Sequence, residues 1–186
     1  MTALVKAGAD INGKDAIGNT PLCNAALVDN PGRVRALLGV KGVRVNEPGE
    51  YGEPAIFKSN VLAVSRDLVA AGANVSQQND RGYTPLFAVT NPDVVTFLIK
   101  SGANVNHLNK DRQNILVHNL SVANAEFRIS MDEAAVTNKY LKKFEILIQS
   151  GIRVNDAPKS DMNALALANR VPLTKIVALL KRAGAR

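Results

Sequence analysis

The chain has 186 residues, enough for one domain or one short repeat array, and its 46% apolar and 21% charged residues exclude a disordered tail. Aromatic residues make up 4% with no Trp, so the interior must be filled by Leu, Val, Ile and Ala, and no run approaches the ~18 apolar residues of a membrane-spanning helix. A net charge of +7 fits plain solubility or an acidic protein partner ahead of nucleic acid, and the single Cys23 excludes an internal disulfide.

Two phrases recur along the chain, out of phase with each other. Residues 1–12 end on LVKAGADIN, which reads as the second helix of a partial unit. Residues 13–46 hold GNTPLCNAA, a first helix, and close on LLGVKGVRVN, a degenerate second phrase. Residues 47–76 hold GEPAIF, with Pro54 where the other unit has Thr, so the start of that helix is in question. They close on LVAAGANVS. Residues 77–106 hold GYTPLFAV and LIKSGANVN. Residues 107–155 hold QNILVHNL and LIQSGIRVN, and residues 156–186 hold DMNALALA and LLKRAGAR. The closing glycines, Gly8, Gly42, Gly72, Gly102, Gly151 and Gly184, fall 34, 30, 30, 49 and 33 residues apart.

Each phrase has a physical reading. The Thr20 and Thr84 hydroxyls can cap the free N–H groups of a starting helix, and Pro21 and Pro85 are tolerated in its first turn. The closing glycine lets the chain leave its helix in a left-handed conformation. A polar stretch such as residues 77–82 is a turn. Each unit is then turn, short helix, longer helix, and it must stack on a neighbour to bury its apolar face.

Together the phrases resemble the ankyrin repeat, whose period is about 33 residues. The resemblance covers essentially the whole chain. It implies an all-α fold, an α-solenoid of helix-turn-helix units with hairpin-like turns. The unit 107–155 is about 16 residues too long, and the excess is expected between its helices, at about residues 124–136, as a loop of the kind that often marks a binding face. Residues 1–12 are either a half-cap or the remnant of a trimmed unit.

The sequence carries no recognisable catalytic or metal-binding motif. His107 and His118 are the two histidines, and no CxxC, HExxH, calcium-loop or phosphate-loop string is present. The resemblance gives His118 a hydrogen-bonding place on its helix, and Cys23 falls at the equivalent place as a small buried residue. The expectation is no enzyme activity, no cofactor, no metal and no small-molecule substrate. Nucleic acid is disfavoured because the basic residues are scattered, with Lys139, Lys142 and Lys143 the densest group. Phe57, Phe97 and Phe144 are expected in the core rather than free for base stacking.

By position, the resemblance implies that a protein partner meets the turn tips and the concave row of first helices. The residues are Ala16, Ile17 and Asn19, then Glu50, Tyr51 and Glu53, then Asp80, Arg81 and Tyr83, then Asp111, Arg112 and Asn114. Leu27, Val28, Asn91 and Pro92 continue the row. Arg81, Tyr83, Tyr51 and Arg112 are the expected anchors, because Tyr and Arg combine contact area with directional hydrogen bonds. Small, irregular ankyrin-like chains suggest a bacterial protein with one dedicated partner of acidic surface, such as an immunity-type protein that covers or regulates a toxic secreted enzyme. The alternatives are a general scaffold, a host-directed effector module, or a nucleic-acid-binding protein. The expected location is cytoplasmic, or periplasmic or membrane-anchored if an upstream signal has been removed.

Overall fold

Helices start where a side chain or a proline relieves the unpaired donors of a first turn. In the computed structural model, Thr20 does this for α1 (Pro21–Leu27), its hydroxyl accepting from the Cys23 N–H at 3.2 Å. Asn30 does it for α2 (Pro31–Leu38) through the Arg33 N–H. A short 3-10 turn, Glu50–Gly52, precedes α3 (Ala55–Lys58), which forms in spite of Pro54, and α4 (Leu62–Ala70) follows. Then come α5 (Pro85–Ala88) and α6 (Pro92–Lys100), the latter capped by Asn91. The expected Thr84 cap is not made. The Phe87 N–H that it would serve donates instead to the Thr84 carbonyl at 2.9 Å, and the buried hydroxyl has no partner among the described residues. The single-turn α3 opens in the same way, from Phe57 to the Pro54 carbonyl.

The structure describes residues 10–156 and 163–186, so the helix expected over residues 2–7 and the start of the phrase at Asp161 lie outside the described residues. The chain divides into two units, residues 1–103 and 104–186. In the first, α1, α3 and α5 form one row and α2, α4 and α6 a second, each short helix packing on the longer helix that follows it. Leu22, Leu37, Ile56, Leu68, Leu86 and Leu98 are almost wholly buried between the rows. Each such side chain contributes about 1.5–3 kcal/mol through burial.

Polar side chains join successive repeats. The Asn that closes the recurring phrase donates its Nδ2 to the carbonyl of the next repeat's glycine and accepts from the N–H two residues on. Asn12 does this to Gly42 (2.9 Å) and Arg44 (2.8 Å), and Asn46 to Gly72 (2.9 Å) and Asn74 (2.8 Å). Asn46→Ala removes both bonds at one joint and is expected to lower unfolding free energy by about 1–2 kcal/mol, as read by urea denaturation. A second ladder links the loops between helices. Asp29 accepts from the Ser59 hydroxyl and the Asn60 N–H, and Asn60 in turn accepts from the N–H groups of Thr90 and Asn91.

The second unit contains α7 (Ile115–Ser130), α8 (Glu133–Gln149), α9 (Ala164–Ala168) and α10 (Thr174–Arg182). Helix α7 packs on α8 and α9, and α10 on α8 and α9. Asn106 and Asn155 repeat the glycine staple, to Gly151 (3.2 Å) and Gly184 (3.0 Å). The expected loop at 124–136 is instead helical. Its excess residues lengthen both helices, to 16 and 17 residues. Residues 124–136 carry no Gly or Pro and are rich in helix formers, so nothing interrupts the ladder until Met131 turns left-handed (φ 54) and Asp132 caps α8 through the Ala135 N–H at 2.9 Å. The described residues are all-α, with no strand.

Candidate partner-binding surface

The tips are built alike. Asp15 and Asn79 open two of them, each side-chain oxygen accepting two backbone N–H groups of its own turn: Ile17 and Asn19 for Asp15, Arg81 and Tyr83 for Asn79. Asn109 does the same toward Gln113. The Asn24 amide and these backbone donors hold the Asp15 carboxyl below its ordinary range. In the second tip Gly49 takes the opening place, because a Cβ there would stand 2.5 Å from the Asn19 Oδ1.

Adjacent tips of the first unit are tied together. The Glu50 N–H donates to Asn19 Oδ1 at 2.9 Å and the Asp80 N–H to the Tyr51 carbonyl at 3.1 Å. These bonds decide which of the expected residues can reach a partner. Ala16, Ile17, Asp80 and Arg81 are exposed, and Tyr51 is 61% exposed. Glu50 is half-buried. Tyr83 is half-buried with its ring stacked on Phe87 at 5.2 Å. Asn19 is 1% exposed and works inside the fold. Glu53 is held by Lys58 at 2.8 Å and by the Asn79 amide at 2.9 Å. Asn91 and Pro92 start α6, while Leu27 and Val28 lie exposed at the end of α1.

In the second unit Asp111 and Arg112 are exposed, and Arg112 sits in the left-handed region (φ 59). Asn114, expected at the surface, is 1% exposed. It caps α7 through the Val117 N–H and donates to the carbonyls of Arg153 and Asp156. Asn19 and Asn114 are therefore corrected from partner-facing to internal residues. Asn19 follows the left-handed turn residue by one place and Asn114 by two, and the side-chain oxygen of each accepts a backbone N–H within the fold.

The basic cluster is also rearranged. Lys139 pairs with Glu126 at 2.6 Å and Lys142 with Glu145 at 3.0 Å, while Lys143 is wholly buried. Burial lowers the Lys143 ammonium to about 7. Burial, with the Glu126 carboxylate beside it, pushes the Tyr140 hydroxyl well above its ordinary range, and Tyr140 donates to Glu126 at 3.1 Å. Of the aromatic rings only Tyr51 is exposed. Phe57 and Phe144 are buried as expected, and Phe97 is half-buried beneath the Arg66 guanidinium at 5.8 Å. Cys23 is buried, its thiol directed at the Glu53 carbonyl. His118 lies half-buried on α7. Among the described residues no group of three His, Cys, Asp or Glu side chains could hold a metal ion, and no helix is long and apolar enough to cross a membrane.

Residues 81–110 of this chain match the ankyrin repeat by its family model, and they run from the third tip into the fourth. The ankyrin-repeat architecture also appears in the structural comparison. A crystal structure of an ankyrin repeat domain from Acinetobacter baumannii superposes with a TM-score of 0.76 at 23% identity, covering 100% of this chain and 91% of that one, a likeness of fold. Neurogenic locus notch homolog protein 1 is 33% identical over 117 residues in Mus musculus and 32% in Homo sapiens. That match covers 60% of this chain and spans only 4% of the length of those relatives. Ankyrin repeats are in general non-catalytic modules that bind other proteins.

The asparagine staples carry a sequence signal that the expectations above do not use. The last letter of the recurring phrase is Asn at Asn12, Asn46, Asn106 and Asn155, with Ser76 the exception. The left-handed places of Arg112 and Tyr51 are likewise absent from those expectations. Aligning Arg112 with Gly18 and Gly82 would have exposed the first, while Tyr51 immediately precedes the glycine of its tip.

Proposed function

We propose that this protein holds one dedicated protein partner, without catalysing a reaction, through Ala16, Ile17, Glu50, Tyr51, Asp80, Arg81 and Tyr83 of the first unit and through Asp111 and Arg112 of the second. The observation that carries this is the backbone at Tyr51 and Arg112. Both sit at φ 59, a region that favours glycine, and Gly18 and Gly82 fill the place equivalent to Arg112 in two other tips. A side chain costs roughly 1–2 kcal/mol there. Both side chains are exposed, so packing within the fold does not offset the strain. Retained strain at an exposed tip supports a role in recognition.

The residue pairs at the tips differ from one repeat to the next: Ala16-Ile17, Glu50-Tyr51, Asp80-Arg81, Lys110-Asp111. Such irregularity supports one idiosyncratic partner, as for an immunity-type protein that covers a toxic enzyme, over a general scaffold with many. The first unit's tips carry more carboxylates than cations, with Asp15, Glu50 and Asp80 set against Arg81. The acidic partner surface expected from net charge therefore has no match in this row.

The left-handed geometry supplies a clean test. Replacing both Tyr51 and Arg112 by glycine removes two anchors while relieving strain, and Arg112→Gly alone is expected to raise stability by about 1 kcal/mol. Affinity capture from source-cell lysate with the natural chain is expected to recover one protein in near-equal amount, and the double variant is expected to lose it while melting no lower. Equal capture by both baits would remove the tips from the interface. Several sub-stoichiometric proteins would favour the scaffold.

A further inference from the structure

The corner between α7 and α8 presents five consecutive exposed residues: Arg128, Ile129, Ser130, Met131 and Asp132. Ile129 is 86% exposed and Met131 72%, more than any other large apolar side chain among the described residues. Met131 also sits in the left-handed region (φ 54). Helices α4, α6, α8 and α10 are each followed by a left-handed glycine, Gly72, Gly102, Gly151 and Gly184, which takes that conformation without strain. Helix α7 is followed instead by a long apolar side chain that is strained there and that nothing in its own chain covers.

The two charges of this strip have opposite signs and stand at its two ends. Arg128 makes no ion pair among the described residues. Asp132 caps α8 with Oδ1, which accepts the Ala135 N–H at 2.9 Å, and its second oxygen is left for another donor. The neighbouring charges are engaged. Glu126 pairs with Lys139 at 2.6 Å, and Glu133 accepts from both the N–H and the hydroxyl of Thr174. Beside the strip lies an apolar hollow of about 340 Å³, lined by Ile129, Ala135 and Val136 and walled by the Glu126–Lys139 pair. It has room for one methionine side chain. Read from 128 to 132, the order is cation, apolar, small polar, apolar, anion. Such a strip is its own complement when a second copy runs the other way, and a self-complementary patch is what a two-fold interface requires.

We propose that the α7–α8 corner joins two copies of this chain about a two-fold axis at Ser130, each Arg128 on the other copy's Asp132 and each Met131 against the other copy's Ile129. The paired charges select a second copy over an unrelated apolar partner, because the strip supplies both members of each ion pair. Five residues a side make a small interface, so the association is weak and grows with concentration. It lies outside the tips and does not depend on the tip-binding reading.

Sedimentation equilibrium of the full chain, from about 10 μM to about 1 mM, tests it. The average mass of the natural chain is expected to rise toward twice the chain mass. Met131→Gly should weaken the association at least about tenfold while melting no lower, since it removes the apolar anchor and relieves the strain. Arg128→Glu and Asp132→Lys should each abolish it, because each places two like-charge contacts in the interface. An equal mixture of those two chains should restore it, since both contacts are then of opposite sign. Asp132→Lys also loses the α8 cap, so its folding is checked by thermal melting. Asp132→Asn, which can keep the cap, should weaken the association without loss of fold. A natural chain that stays monomeric at about 1 mM, or an association indifferent to Met131→Gly and Arg128→Glu, would overturn the proposal. A mixture of folded Arg128→Glu and Asp132→Lys chains that fails to associate would overturn the antiparallel pairing on which it stands.

Discussion

Lys143→Met is expected to reduce the dependence of stability on pH between 7 and 10, its stability relative to the natural chain being highest at pH 6. Lys143 lies wholly buried on α8, and desolvation lowers its ammonium from 10.5 to about 7. Below pH 7 both the folded and the unfolded chain carry the proton, so the burial penalty is present in full. Between about 7 and 10.5 the unfolded chain binds a proton that the folded chain does not. Stability therefore rises with pH across that window, by on the order of 1 kcal/mol per unit, and the penalty has gone above it. Methionine fills a similar volume without a charge, so its advantage should be largest at pH 6 and shrink toward pH 10. Urea unfolding of both chains at several pH values checks this. Parallel pH profiles would show that the ammonium is well accommodated.

The second large effect lies in the tips. Gly52→Ala is expected to cost about 2–4 kcal/mol, clearly more than Gly72→Ala at about 1 kcal/mol. Both glycines are left-handed, φ 74 and 93. They differ in surroundings. A Cβ at Gly72 meets nothing within 4 Å, whereas one at Gly52 would stand 2.5 Å from the Asp80 Oδ1 and 3.0 Å from the Asp80 nitrogen. That nitrogen donates to the Tyr51 carbonyl, so a methyl group pushes apart the bond that ties the second tip to the third. Denaturant midpoints of the two variants isolate the clash from the shared strain. Equal losses would mean that the tips separate without cost and that their spacing is not held by this contact.

The two effects act on different parts of the protein. The lysine penalty bears on the second unit's core and leaves the tips alone. The Gly52 contact sets the spacing at which Tyr51, Asp80 and Arg81 present themselves. A Gly52→Ala chain that still folds in the cold is therefore expected to bind a tip-dependent partner more weakly, without any change to an exposed side chain.

The sequence by itself determined the repeat and its period, the order of short and long helices, and the apolar faces. Each of these is written locally, in a Thr-Pro or Asn-Pro start, a closing glycine and a run of Leu, Val and Ile between them. It also determined the places of the tips, since Asp15, Asn79 and Asn109 organise their turns through bonds to residues two to four places on. What it left undecided depended on atoms about thirty residues away. Asn19 and Asn114 read as surface polar residues until the neighbouring repeat supplies backbone groups for their amides. Lys143 reads as part of a basic surface until α8 turns it inward. The excess in the fourth unit reads as a loop because the period counts residues and does not register that 124–136 can continue a helix. The bond from Asn124 to the Leu167 carbonyl of α9 is made from the far half of that lengthened helix. Local chemistry fixed where the helices begin and end, and only stacking decided which polar side chains were left for a partner.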